Sequence, residues 1–192
     1  MPARLQDHEW IVKHLTLLMR EVGISFSILR PLRLRMPHLT IKEVGQLVEK
    51  DFDLIGKYGR QVRLQVSVAT LNEGLARLIE PRIVSPTKRM EILAKAKLKG
   101  LRTGIIVAHV FPPTSQRSDV KADLEKIAHK LSEIKPDFIY GESLHIRGIN
   151  IAYIENALGQ KLDLNGFDKE AEQLFHESLS TVGLKGRWWR EY

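Results

Sequence analysis

Cysteine is absent from all 192 residues. Without thiols the chain has no disulfides, no thiolate metal site, no cysteine nucleophile and no cysteine-ligated iron–sulfur cluster. Long apolar runs are missing as well. No stretch approaches the ~20 residues that cross a bilayer, and the opening MPARLQDHEW does not read as a signal peptide. The expectation is a cytosolic protein with no membrane partner. Phosphate-binding glycine loops, zinc motifs and the serine-hydrolase nucleophile elbow are also lacking, which removes three common enzyme classes.

What is present is an ordinary soluble balance, 43% hydrophobic and 28% charged, in a length that suits one domain over residues 1–192. The formal charge of +7 favours polyanionic partners such as nucleic acid. A lysine- and arginine-rich solvated surface, as in archaeal or thermophilic proteins, is the other reading of the same excess.

Patterning gives alternating helices and strands. Residues 7–21 form a helix closed by Gly23, and 24–29 alternate as a short strand before the basic, proline-broken loop of Arg30, Arg33 and Arg35. Helical periodicity returns over 41–58. A strand over 62–68 sets Val62, Leu64, Val66 and Val68 on one face, with Arg63, Gln65 and Ser67 on the other. A helix follows over 72–79. Ser85 then caps a helix with Pro86 at its first position, ending before Gly100. The near-continuous apolar run 103–109 reads as a buried parallel strand. After it come a helix from Val120 to Ile134 capped by Ser118, a strand over 136–141, a short helix over 150–158 and an amphipathic one over 167–182. Strands alternating with helices predict an α/β fold with right-handed crossovers and about four parallel strands. The last part, 150–192, is a helical tail.

The runs QVRLQVSVATLN (61–72), LARLIEPR (75–82) and SPTKR (85–89) resemble the middle of radical S-adenosylmethionine (radical SAM) proteins of the spore photoproduct lyase, or DNA repair photolyase-like, group. Gly100 to Pro113 is similar to that family's next strand and loop. The resemblance covers about 15–155 and is densest over 61–113. It implies a partial (β/α) barrel, bound S-adenosylmethionine and a 4Fe–4S cluster. The family's CxxxCxxC motif has no counterpart here, and neither has the glycine-rich motif that holds the SAM amino group. Arg30-Pro31 stands where a Thr-Lys pair ends the family's third strand. The resemblance therefore implies the later wall of the barrel without its cluster-binding part, and the residues of this chain do not support the cluster.

Candidate sites follow from both readings. Ser67 ends its strand, where parallel barrels place their chemistry. By resemblance it matches a serine near the SAM ribose or carboxylate; otherwise it is an interior serine bonded to backbone. Glu80 and Arg82 flank Pro81 and either hold a polar ligand or form an ion pair that fixes the turn. His109 follows the apolar strand, as a ligand contact or a structural histidine. Glu142, Ser143, His145, Arg147 and Asn150 crowd one loop between Gly141 and Gly148, suited to a phosphate or carboxylate. Helix capping is the other use of that loop. Arg30, Arg33 and Arg35 make a basic patch. The tail KGRWWR (185–190) either docks onto the body or stacks on a single strand. The expected states are three: one part of an enzyme split with a cysteine-bearing partner chain, a nucleic-acid-binding module, or an assembly with a second copy covering an open sheet edge.

Overall fold

The computed structural model describes residues 39–41, 46–57, 59, 62–146 and 149–189. Its frame is set by three apolar strands: β2 (Val62–Ser67), β3 (Arg102–Val110) and β4 (Phe138–Ser143). Two very short strands flank them, β1 (Leu39–Ile41) and β5 (Arg187–Trp188). All pairings are parallel, and the order is β1-β2-β3-β4-β5. Each strand thus sits beside its predecessor in the chain, which is the progression of a barrel wall.

The alternation of β2 decides which face is core. Leu64, Val66 and Val68 are fully buried with Ile105, Val107 and Ile139. Against them pack the helices α3 (Pro86–Leu98), α4 (Val120–Ile134) and α6 (Phe167–Ser180). The opposite, inner face carries Arg63, Gln65 and Ser67, joined in register by Arg102, Gly104 and Ile106. Phe138 and Tyr140 extend it on β4.

Local capping explains where the helices begin. Asn72 accepts from the Leu75 amide to open α2 (Glu73–Ile79). Ser85 accepts from the Lys88 amide at 3.3 Å, with Pro86 in the first turn of α3, as the sequence implies. At α4 the cap is Asp119, bonded to the Ala122 amide at 2.8 Å, and not Ser118. α5 (Asn150–Leu158) lies against α2 over a second apolar cluster of Ala69, Leu75, Phe111, Leu144 and Leu158. That cluster sits at the C-terminal ends of β2, β3 and β4.

The α/β class and the parallel sheet agree with the sequence reading, and the corrections are local. The periodicity over 41–58 gives a strand at Leu39–Ile41, then a 3₁₀ turn at Gln46–Asp51 and a short helix α1 (Phe52–Lys57). The tail adds an edge strand, so the described sheet has five strands. The expected helix 7–21, strand 24–29 and arginine loop lie outside the described residues. Among the described residues no helix is long and apolar enough to cross a membrane.

Candidate functional site

The candidate site lies at the C-terminal ends of the neighbouring strands β3 and β4, with the end of β2 beside β3. Glu142, the fifth residue of β4, stands at its centre. His109 Nε2 and His145 Nε2 each lie 4.0 Å from Glu142 Oε1. His109 is nearly half exposed, whereas Glu142 and His145 are mostly covered. Asn150 holds the loop in place: its Nδ2 donates to the His145 carbonyl at 2.7 Å while its Oδ1 accepts from the Ile151 amide at 2.9 Å. Trp189 meets the His145 ring edge-on at 5.9 Å. At 4.0 Å both imidazoles stand beyond hydrogen-bond distance of this oxygen, so the three groups interact by charge alone and present polar atoms at the strand ends.

Ser67 ends β2 half-buried, and its carbonyl is fixed from below. Arg89, 2% exposed, donates from Nη1 to the Ser67 carbonyl at 2.6 Å and from Nη2 to Glu80. The ion pair at this turn is therefore Glu80–Arg89, with Arg82 left exposed beside Pro81. The reason is position. Arg89 lies in the first turns of α3 facing the strand end, where a buried guanidinium has to find an anion and a carbonyl. Gln65, two residues earlier on the inner face, is 2% exposed, and its Oε1 is buried without a hydrogen-bond partner.

The remaining candidates separate. Ser143 alternates away from Glu142 to the helix side, where it donates to Asp168 Oδ1 at 2.5 Å; Trp188 Nε1 shares that oxygen at 3.2 Å. Arg147, Arg30, Arg33 and Arg35 fall outside the described residues. The tail docks, as one of its two readings had it. Trp188 packs on Phe175 at 5.4 Å and the Trp189 amide donates to the Gly141 carbonyl at 2.8 Å.

Two features were missed. Arg117 is 5% exposed, with Nη2 on the Phe111 and Pro112 carbonyls, Nη1 3.4 Å from Asp123 and its plane 4.2 Å over the Phe111 ring. Burial pushes its guanidinium below the ordinary arginine range, opposed by Asp123. Asp123 also accepts from the Leu71 amide at 3.3 Å, so this pair ties the loops after β2 and β3 to α4. On the inner face Arg63 lies 4.8 Å over Phe138 and 5.6 Å over Tyr140, with Arg102 4.7 Å over Phe138. The sequence signal was the alternation of Phe138 with Tyr140 on β4, with Arg63 and Arg102 two positions before the register partners of Phe138 on β2 and β3.

No family model matches the chain. It is 49% identical over 146 residues to the uncharacterized protein ORF301 of Acidianus two-tailed virus, covering 76% of this chain and 48% of that one. Among solved structures, a spore photoproduct lyase superposes with a TM-score of 0.60 at 15% identity over 79% of this chain and 50% of its own. The fold is that of about half of spore photoproduct lyase. A second lyase structure, solved with bound AdoMet and dinucleoside spore photoproduct, matches at a TM-score of 0.57, and Streptococcus suis SuiB at 0.55. The chain thus spans about half the length of the lyase and of the viral relative.

The sequence resemblance to radical SAM proteins implies two groups, and the residues fit them unequally. The chain has no cysteine, and among the described residues no three histidines or carboxylates are grouped to hold a metal. The cluster does not fit this chain. S-adenosylmethionine fits better, because the buried Gln65 Oε1 lacks a donor and half-buried Ser67 lies two residues beyond it.

Proposed function

We propose that this chain is a radical-SAM-type barrel wall related to DNA repair photolyases that does not run radical chemistry alone and presents its strand-end site to nucleic acid. The observation that carries the reading is a spore photoproduct lyase fold in a chain without a single cysteine. Three thiolates hold the cluster in the usual radical SAM form. In this proposal they come from a cysteine-bearing partner chain, in a cytosolic setting. S-adenosylmethionine, when bound, supplies the radical precursor. This chain's part is to offer Gln65 Oε1 to a donor and Ser67 to a polar group of that ligand. His109, Glu142, His145 and Asn150 face the substrate, with Arg147, Arg30, Arg33 and Arg35 as further anion contacts.

The test is anaerobic reconstitution with iron and sulfide. The chain alone should show no cluster absorption and no cleavage of S-adenosylmethionine. A stoichiometric cluster overturns the proposal. Calorimetry with S-adenosylmethionine should show weak binding that Gln65→Leu reduces.

The second reading, a non-catalytic nucleic-acid module, is favoured by the net charge of +7. It predicts oligonucleotide affinity that falls steeply between about 50 and 500 mM salt, as counterion release requires. Affinity that does not change with salt rules that module out.

A further inference from the structure

The docked tail sorts its side chains by alternation. Leu184 packs on the main core, a methyl group on Gly186 would meet Phe175 and Leu179, and Trp188 lies on Phe175 at 5.4 Å. These three positions face α6. Lys185, Arg187 and Trp189 therefore turn the other way, and all three are exposed, Trp189 by 44%. Arg187 is in register with Tyr140, and the Trp189 amide donates to the Gly141 carbonyl at 2.8 Å, so the backbone beneath the three is held. Among the described residues no strand lies beyond β5, which leaves this edge of the sheet open.

Neither Lys185 nor Arg187 has a hydrogen bond or an ion pair among the described residues. The nearby carboxylate on α6, Asp168, is taken up on the helix side by Ser143 and by Trp188 Nε1. Alternate positions on an extended backbone stand ~6.7 Å apart, which is comparable to the step between phosphates of an extended nucleic acid strand. Trp189 follows in the same line. Its ring meets His145 edge-on at 5.9 Å, with nearly half of the residue in solvent. Two cations followed by an exposed aromatic side chain supply what a single strand needs, neutralised phosphates and a platform for a base.

We propose that Lys185, Arg187 and Trp189 form a track for single-stranded nucleic acid along the β5 edge. Lys185 and Arg187 contact successive phosphates, and a base stacks on the exposed part of the Trp189 ring. Docking of the tail and stacking on a strand are thus carried by alternate residues of one segment. The track rests on the nucleic-acid reading given above and adds where the strand lies and that it is unpaired. A duplex keeps its bases stacked inside and offers Trp189 none.

Fluorescence anisotropy of a labelled thymidine decamer with the full chain, starting at about 50 mM salt, tests it. Lys185→Gln and Arg187→Gln should each weaken binding several-fold and lower the slope of log affinity against log salt by about 0.7. Trp189→Leu should weaken it about tenfold with the slope unchanged, and should leave binding of an abasic decamer as it was. Lys126→Gln, the loss of an exposed cation on α4, should change little. A duplex of the same length should bind more weakly than the single strand. A uridine decamer bound more tightly than the thymidine one makes RNA the ligand, and the reverse makes it DNA. Urea midpoints of the variants should match the wild-type chain, because the substituted side chains face solvent. No binding at low salt overturns the track and the nucleic-acid reading together. Wild-type binding that the three variants leave intact, a loss with Lys126→Gln equal to that with Arg187→Gln, or a duplex bound as tightly as the single strand overturns the track alone.

Discussion

At the scale of single residues, the tightest constraint lies under Trp188. A methyl group built on Gly141 would meet the Trp188 ring at 2.5 Å and Phe175 at 2.9 Å, and one on Gly186 would meet Phe175 at 2.5 Å. Real side chains do not approach so closely, so Gly141→Ala has to displace the indole, at a cost of about 1–3 kcal/mol or more. Urea denaturation should show the lower midpoint, and Trp fluorescence should shift to the red as β5 lifts. An unchanged midpoint would mean that the tail is not seated on β4. The second residue-scale case is Arg89. Glu80→Gln leaves the guanidinium still bonded to the Ser67 carbonyl. Arg89→Met instead takes the donor from the Ser67 carbonyl and leaves Glu80, which is partly exposed, to water, at a cost of about 1–3 kcal/mol. The ordering of the two variants in a denaturant series, with Arg89→Met the worse, checks the assignment. Neither arginine buried here was visible from the sequence. Arg89 closes the SPTKR run and Arg117 precedes a helix, and arginine by itself reads as a surface residue. Only the folded chain shows that the carbonyls of Ser67, Phe111 and Pro112 need donors there.

Among the elements, the crossover from α3 to β3 and β4 is pinned by Asp137. Burial raises its carboxyl, but hydrogen bonds from Lys97 and Thr103 outweigh that and hold it below the ordinary 3.8. A carboxylate depressed in the folded state contributes stability that is present above the ordinary value and lost as pH falls through the folded one. Stability of the wild-type chain should therefore decline below pH ~4, in part through this group. Asp137→Asn should lose about 1–2 kcal/mol at neutral pH and show a flatter acid limb, read from urea midpoints between about pH 2 and 7. A variant with the same acid limb as wild type would remove Asp137 from this role. The elements that sequence reading recovered were those with their own signals: β2, β3 and β4 by apolar content, and α3 by Ser85-Pro86. β1 and β5 were not legible because they have three and two residues, too few for a period. Such strands exist by pairing with a neighbour and, for β5, by Trp188 packing on Phe175. The strand-end site was half legible. Its loop was found as a polar cluster, but the alternation that sends Glu142 inward and Ser143 to Asp168 depends on where β4 ends, two residues later than the pattern suggested.

At the scale of the whole sheet, the described residues give five parallel strands in chain order, a wall whose inner face carries several arginines. Arg63 and Arg102 lie on it, and Arg187, in register with Tyr140, adds a third positive charge. Two copies meeting inner face to inner face would set these arginines against one another, and like charges directly opposed are destabilising. A negatively charged partner, a nucleic acid strand or an acidic protein surface, gains from the same charges. The two cases respond to salt in opposite directions. Screening weakens attraction to a polyanion and weakens repulsion between copies. Sedimentation of the chain alone should thus show no more self-association at about 50 mM salt than at about 500 mM, while oligonucleotide binding is strongest at the lower salt. Arg187→Glu should reverse part of both trends, with weaker oligonucleotide binding and stronger self-association. Self-association that tightens at low salt in the wild-type chain would mean that the copies meet through another surface, one on which opposite charges face each other.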